Sequence, residues 1–388
     1  MLDFTFFVPT RFVFGKGSPA KAGEEVSRYG KRVLLHHDGG AYLSDLLETV
    51  RRSLRDAGLE VFEFSGVVPS PRLSLVLEGA EFCRENKIDC VLAVGGGSVM
   101  DSAKAIAFMA VNEGDFTEYV SYKRQSGKCL PLGCVVTLSG TGSEVSGTAM
   151  IVDDTKEPKI KYPLFQDAIR FRFAILDPSL TVTLPLPQTI SGAFDAITHV
   201  MEHYFSGDSG LQDRLCEAVI AASMDNMRAV LDRPEDWDVR AQLQIAATLA
   251  NSGLLGIGGR SDWAMHYMEN PITTATHQPH GSTLAIIAPA WMRYCYKRNI
   301  AKAAGFARRV MGIPAGGDDA AAALAGIDEF EKFLAGVGLP TRLSQIGVTA
   351  EQFAGFAKLA AETAGSERVG GVSRLTVPEI VEVYKLAS

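Results

Sequence analysis

The run DCVLAVGGGSVMDSAKAIA (89–107) joins a short apolar stretch, a turn of three glycines and a serine, and an amphipathic segment. It reads as strand, turn and helix. Apolar residues are nearly continuous through 90–94, the pattern of a parallel strand buried on both faces. Gly95, Gly96, Gly97 and Ser98 let the backbone come close to a ligand, and the unpaired N–H groups of a helix start attract a pyrophosphate. Asp101 and Lys104 follow on the first turns of that helix. The run is not GxGxxG, and a glycine turn of this kind also serves as a plain connection in α/β proteins.

Working outward, strand and helix alternate at βαβ pitch. KRVLLHH (31–37) reads as a strand, AYLSDLLETVRRSLRDAG (41–58) as a helix, EVFEFSG (60–66) as a strand and LSLVLEGAEFCRENK (73–87) as a helix. Beyond the glycine turn, LPLGCVVTLSGTGSEVSG (130–147) is a strand running into a second polar glycine loop, with Thr137, Leu138 and Ser143 in it. AMIVDD (149–154) and FRFAILDPSL (171–180) read as later strands, and Leu180 at the end of the last one is a further cofactor-binding candidate. Such alternation predicts a doubly wound α/β sheet, and two glycine loops after strands favour a dinucleotide ligand. After Pro185–Pro187 the texture becomes Ala-, Leu- and Met-rich at helical period. The expectation is an α/β Rossmann-like domain over 1–186 and an all-α domain over 187–388.

The chain has 388 residues, enough for two cores, and its 47% hydrophobic and 21% charged content is that of a soluble globular protein. A net charge of −7 argues against a nucleic-acid partner, which needs a basic surface. No apolar run approaches the length of a membrane span, and the start lacks the basic, apolar pattern of a secretory leader. The six cysteines form no CxxC pair and read as small core residues, so a cytoplasmic location is expected.

The helical half holds the chemistry-bearing residues. FDAITHVMEHYFS (194–206) places Asp195 and His199 at i, i+4, one helical turn apart on one face. WAMHYMENPITTATHQPHGSTLA (263–285) adds His266, His277 and His280. A carboxylate and several imidazoles meeting at a point suit a divalent first-row metal. On spacing alone His203 continues the row begun by Asp195 and His199, and His277 competes with His280. His36 and His37 read as surface or loop residues at a strand end.

The segments GGGSVMDSAKAIA, TLSGTGSEVSGTAMI, FDAITHVMEHYFS and WAMHYMEN…HQPHGSTLAIIAPAWM resemble the iron-containing (group III) alcohol dehydrogenase family, in the style of its butanol-dehydrogenase-like branch. The likeness runs from FVFGKG (12–17) to the C-terminal helices. It implies a dehydroquinate synthase-like two-domain fold, with Asp195, His199, His266 and His280 as ligands of Fe(II) or Zn(II) in the interdomain cleft. His203 and Glu202 are then helix neighbours of the ligands. The cofactor loop would be formed by Gly95, Gly96, Gly97, Ser98, Asp101, Thr137, Leu138, Ser143 and Leu180. Lys161 resembles a lysine that reaches the cofactor, with Lys159 close by in sequence.

Where relatives commonly carry a second histidine one turn after His266, this chain has Asn270, which cannot titrate; His277 is the candidate substitute in a proton relay. Asp38 stands where NADP-using members tend to have glycine. A carboxylate there accepts from the ribose hydroxyls and repels a 2′-phosphate, so NAD is expected, with NADP as the alternative. Asp38 as a cap of the following helix is the rival reading.

The resemblance implies hydride transfer between a nicotinamide and a small alcohol or aldehyde, with a metal of open coordination polarising the substrate oxygen. Two other functions stay open: a non-redox metal- and NAD-dependent lyase of the dehydroquinate-synthase type, and a catalytically silent cofactor-binding protein. Few basic residues lie among the ligands, which favours a neutral substrate over a polyanion. Trp263, Met265, Tyr267 and Phe205 are candidate pocket residues, and a homo-oligomer, a dimer, is expected from the resemblance alone.

Overall fold

The structure, a computed structural model, describes residues 1–120, 124–157, 159–207 and 210–388. The chain divides into two compact units, Phe7–Thr183 and Leu184–Ser388, the second of which also takes in Met1–Phe6. No helix among the described residues is long and apolar enough to cross a membrane.

The first unit runs β1 (Arg11–Phe14), α1 (Ala22–Val26), β2 (Arg32–His37), α2 (Ser44–Asp56), β3 (Glu60–Ser65), α3 (Leu73–Glu85), β4 (Cys90–Gly95), α4 (Gly97–Met109), α5 (Phe116–Val120), β5 (Leu132–Val136), β6 (Thr148–Asp153), β7 (Ile160–Phe165) and β8 (Phe173–Leu176). Six strands form one parallel sheet in the order β1-β8-β5-β4-β2-β3. Alternation along the strands builds two cores. Leu34, Val91, Ala93, Cys134 and Val136 meet α3 and α4 on one face, while Val33, Leu35, Leu92, Val94 and Val135 meet α1 and α2 on the other. Every residue of β4 is buried, as its unbroken apolar run requires.

Three readings change against the structure. The AMIVDD strand leaves the main sheet and pairs antiparallel with β7, a strand not foreseen because its IKYPLF sequence carries Pro163 and Lys161. Proline is confined to edges and ribbons, and this one lies in a two-stranded ribbon. The 171–180 run is strand only over Phe173–Leu176, then turns into a short 3₁₀ segment where Asp177 accepts from the Ser179 N–H at 3.0 Å. His36 and His37 are buried on β2 instead of lying at the surface. His36 contacts Phe64 O at 2.8 Å and Ser102 Oγ at 2.9 Å, which satisfies both ring nitrogens. Burial lowers its pKa to about 4, so the ring is neutral.

The second unit contains α6 (Leu186–Tyr204), α7 (Gly210–Asp232), α8 (Trp237–Ala250), α9 (Ala264–Thr276), α10 (His280–Cys295), α11 (Ile300–Arg309), α12 (Asp319–Gly336), α13 (Phe353–Thr363), β9 (Arg368–Val369), β10 (Leu375–Thr376) and α14 (Val377–Leu386). It is helical apart from the two-residue hairpin β9–β10, a small departure from an all-α reading. Prolines 185 and 187 start α6, where a missing N–H costs nothing. The helix is buried on nearly every side from Ile190 to Tyr204 and packs against α7, α8 and α10.

Close approach of α10 to α6 depends on Gly281. A Cβ there would stand 1.9 Å from Ser191 O, and the adjacent Ser282 N–H donates to Ser191 Oγ at 3.1 Å. Overpacking against backbone of this kind costs about 1–3 kcal/mol. Gly281→Ala is therefore expected to lower the unfolding free energy measured by urea denaturation by an amount in that range, and an unchanged midpoint and slope would contradict the contact.

Candidate functional site

Three helices bring the predicted ligands together. Asp195 and His199 lie one turn apart on α6, His266 lies in the first turn of α9, and His280 is the first residue of α10. One carboxylate oxygen is the centre of the group. Asp195 Oδ1 is 3.7 Å from His199 Nε2, 3.6 Å from His266 Nε2 and 3.6 Å from His280 Nε2. Ligand atoms around a tetrahedral zinc at about 2.1 Å stand about 3.4 Å apart, close to these separations. Asp195, His199 and His266 form the tighter set, their ligand atoms all within 4.8 Å of one another. His280 joins through Asp195 and is the most open, its side chain 33% exposed.

Burial makes this grouping unfavourable without a cation. Asp195 Oδ1 and His266 Nε2 are enclosed and lack a hydrogen-bond partner, and an unsatisfied buried polar atom costs about 1–3 kcal/mol. Burial opposes charge on Asp195, but His199, His280 and His266 outweigh it and hold its pKa below the usual carboxylate range. His199 goes the other way: burial lowers it to about 3, which leaves a neutral imidazole with a lone pair to give. Burial also disfavours charge on His266, yet the Asp195 and Glu202 carboxylates prevail and raise it to about 9.

Two fully buried glutamates back the ligands. Glu202 Oε1 is 3.0 Å from His266 Nδ1, and Glu269 Oε2 is 2.7 Å from His280 Nδ1. The first contact is a directed hydrogen bond; the second is a close charge contact off the ring's N–H direction. Thr273 Oγ1 donates to the other Glu269 oxygen. A carboxylate at Nδ1 keeps the proton there and frees Nε2 for a metal. The sequence reading treated Glu202 as a helix neighbour and did not single out Glu269. Their only signal in sequence is an acidic residue three after His199 and three after His266.

His203 does not join the group. Its ring stands edge-on to Trp263 at 5.7 Å, and burial lowers its pKa to about 4. His277 ends α9 in a left-handed conformation, exposed, and takes no part in the converging set. Asn270 is half-buried on α9, one turn after His266, with Pro271 following it inside the helix. Of the candidate pocket residues, Met265 is core and Phe205 packs on Tyr204, Trp291 and Phe306. Tyr267 is partly buried against the same core, while Trp263 faces the histidines.

The cofactor candidates collect in the first unit at the C-terminal ends of neighbouring parallel strands. Asp38 follows β2, Gly95 ends β4 with Gly96, Gly97, Ser98 and Asp101 after it, Thr137, Leu138 and Ser143 follow β5, and Leu180 follows β8. Chain order reverses between β2 and β4, the point where doubly wound sheets bind ligands. Gly97 is needed for a close approach, since a Cβ there would lie 2.7 Å from Thr141 Cγ2 in the second loop. No side chain caps α4 at Gly96. Asp38 Oδ1 accepts from the Gly40 N–H at 2.8 Å, and Oδ2 accepts from the Tyr42 hydroxyl.

Asp101 and Ser143 are engaged internally. Asp101 accepts from Ser143 Oγ at 2.7 Å and from the Met150 N–H at 2.9 Å, and burial raises its pKa. Buried Lys104 donates to Ser143 Oγ at 2.8 Å and Thr148 O at 2.7 Å, and desolvation lowers its pKa to about 8. This network ties α4 to the second glycine loop. Lys161, on β7, acts electrostatically on Asp101.

Comparison with known proteins agrees with both halves. Residues 9–178 match the model of the iron-containing alcohol dehydrogenases, and residues 189–388 match that of the C-terminal part of the Fe-containing alcohol dehydrogenase family. A probable NADH-dependent butanol dehydrogenase of Bacillus subtilis is 38% identical over 91% of this chain and 92% of its own. The NADPH-dependent aldehyde reductase YqhD of Escherichia coli is 34% identical over the full length of both. The crystal structure of NADH-dependent butanol dehydrogenase A from Thermotoga maritima superposes with a TM-score of 0.94 at 36% identity, covering 100% of this chain and 99% of that one. With both units matched and whole-length relatives above 30% identity, this chain belongs to the iron-containing alcohol dehydrogenase family.

Proposed function

We propose that the protein is a metal-dependent alcohol dehydrogenase or aldehyde reductase that moves a hydride between NAD(H) and a small neutral alcohol or aldehyde. The observation that carries it is the meeting of three imidazole nitrogens on one buried Asp195 oxygen. Asp195, His199, His266 and His280 would hold Fe(II) or Zn(II). An ion in such a site supplies Lewis acidity toward an alcohol or carbonyl oxygen.

The chain's own residues do the remaining work. Glu202 would hold the Nδ1 proton of His266 by a hydrogen bond, and the Glu269 carboxylate beside His280 Nδ1 would favour the proton on that nitrogen, so each imidazole presents Nε2. The exposed edge of His280 makes it the ligand nearest solvent. Asn270 offers an amide one turn from His266; it can orient a hydroxyl and cannot carry a proton. In the first unit, the start of α4 would receive the pyrophosphate through its unpaired N–H groups. Asp38 would accept from the adenosine ribose hydroxyls, with the Gly40 N–H and the Tyr42 hydroxyl holding its carboxylate.

Charge around the helical unit supports a neutral substrate. Arg214, Arg228 and Arg233 pair with Glu217, Asp225 and Asp236, and Arg293 pairs with Asp328 and Glu331. Arg240 is buried on Thr189 and Pro234 O, and Arg298 donates to Ser373 O. A polyanionic sugar acid needs cations directed at it, and these arginines are directed elsewhere. That favours hydride transfer over the dehydroquinate-synthase type of lyase.

Two expectations test the proposal. His280→Ala, assayed for bound metal by elemental analysis and for NADH oxidation with an aldehyde panel, should lose both while circular dichroism stays native; retained turnover would mean the ligand set is wrong. For the cofactor, wild-type kcat/KM should favour NADH over NADPH, and Asp38→Gly should move that ratio toward NADPH by about tenfold or more, about 1.4 kcal/mol. Equal use of the two by the wild type would remove Asp38 from the account.

A further inference from the structure

Of the three imidazoles that meet Asp195, two have a carboxylate at Nδ1 and one does not. Glu202 hydrogen-bonds His266 Nδ1 and the Glu269 carboxylate lies 2.7 Å from His280 Nδ1 as a charge contact, whereas His199 Nδ1 is enclosed with neither a hydrogen bond nor a carboxylate beside it. Something other than a hydrogen bond must fix the plane of the His199 ring. Two aromatic contacts are available. His266 stacks on it at 4.8 Å between centroids and 12° between planes, and Trp263 meets it edge-on at 5.8 Å and 61°. Trp263 also meets His266 edge-on at 5.2 Å and 66°, so one indole touches ligands on both α6 and α9.

Its backbone shows that this placement is held against a cost. Trp263 is left-handed, with φ 65° and ψ 8°, immediately before α9 begins. A bulky residue in that region costs of order 1–3 kcal/mol and persists only where its surroundings over-determine it. They do so through Asp262. Its N–H donates to Glu202 O at 3.0 Å, its carbonyl accepts from the Gly371 N–H at 2.8 Å, and its carboxylate accepts from Ser373 N and Oγ, each at 2.8 Å. The turn between β9 and β10 closes tightly over it: a Cβ on Gly370 would lie 2.1 Å from Asp262 Oδ1, and one on Gly371 2.3 Å from Ser261 O.

We infer that Trp263 is the positioning residue of His199: clamped by Asp262 and the β9–β10 turn, its indole fixes by packing the ring plane that the Glu202 hydrogen bond and the Glu269 charge contact fix for the other two imidazoles. The inference rests on the histidines being metal ligands. Removing the indole leaves all four ligand groups in place but lets the His199 ring turn, so metal binding weakens and its geometry changes. Loss of an orienting partner of this kind weakens metal affinity roughly 10–100-fold.

Cobalt(II) reports both quantities through its visible absorption. The full-length apoprotein is titrated with cobalt(II) as wild type, Trp263→Phe and Trp263→Gly, with Trp263→Leu taking the place of the glycine variant if that does not fold. Glycine relieves the left-handed backbone, and leucine fills volume without a ring edge. The expected result is one tight cobalt per wild-type chain, a near-native band for Trp263→Phe, and a shifted or weakened band with roughly 10–100-fold weaker binding for the glycine or leucine variant. A folded variant without the ring that keeps the wild-type band and affinity overturns the inference. So does a phenylalanine variant as impaired as the glycine one. Absence of a cobalt band in the wild type overturns the metal-centre reading itself.

Discussion

The structure turns on a single buried oxygen. Asp195 Oδ1 draws three imidazole nitrogens to within 3.7 Å from three helices, in surroundings where burial opposes charge on carboxylate and imidazole alike. Three carboxylates, Asp195, Glu202 and Glu269, lie buried around these rings. On the reading proposed, a divalent cation would offset that charge, and the packing of α6 against α9 and α10 keeps the four side chains from relaxing apart. Gly281 is a consequence of the same constraint, since α10 must touch α6 backbone for His280 to reach Asp195.

Much of this was legible in sequence because it is local. Strand and helix alternation in the first unit follows from apolar periodicity, and the i, i+4 spacing of Asp195 and His199 follows from helix geometry. Choosing His266 and His280 over His203 and His277 was not local, and resemblance to a family made the choice. The structure supplies the reason in part: His203 is turned toward Trp263, and His277 is an exposed C-terminal cap. Glu202 reads in sequence only as a helix neighbour, and Glu269 does not stand out, because a buried acidic residue looks like any helix-surface acid until the facing helix is known. His36 misled for the same reason, since its burial depends on Ser102, 66 residues away. The ribbon strand β7 was hidden by Pro163, a residue that signals against a strand except at an edge.

At the dinucleotide end, the glycine loop acts partly through packing. Gly97 makes room for Thr141 of the second loop, and the Asp101–Ser143–Lys104 network binds that loop to α4. Asp101 and Ser143 are held in this network by hydrogen bonds to each other, to the Met150 N–H and to Lys104. The start of α4 and Asp38 after β2, both proposed to meet the dinucleotide, lie on opposite sides of the strand-order switch.

The central claim is that four side chains of the helical unit hold one metal ion. Anomalous X-ray diffraction from crystals of the protein loaded with zinc or iron tests it most directly. The account predicts one strong peak per chain, about 2.0–2.2 Å from an Asp195 oxygen and from Nε2 of His199, His266 and His280. A peak held by other side chains, or none between these three helices, would contradict it.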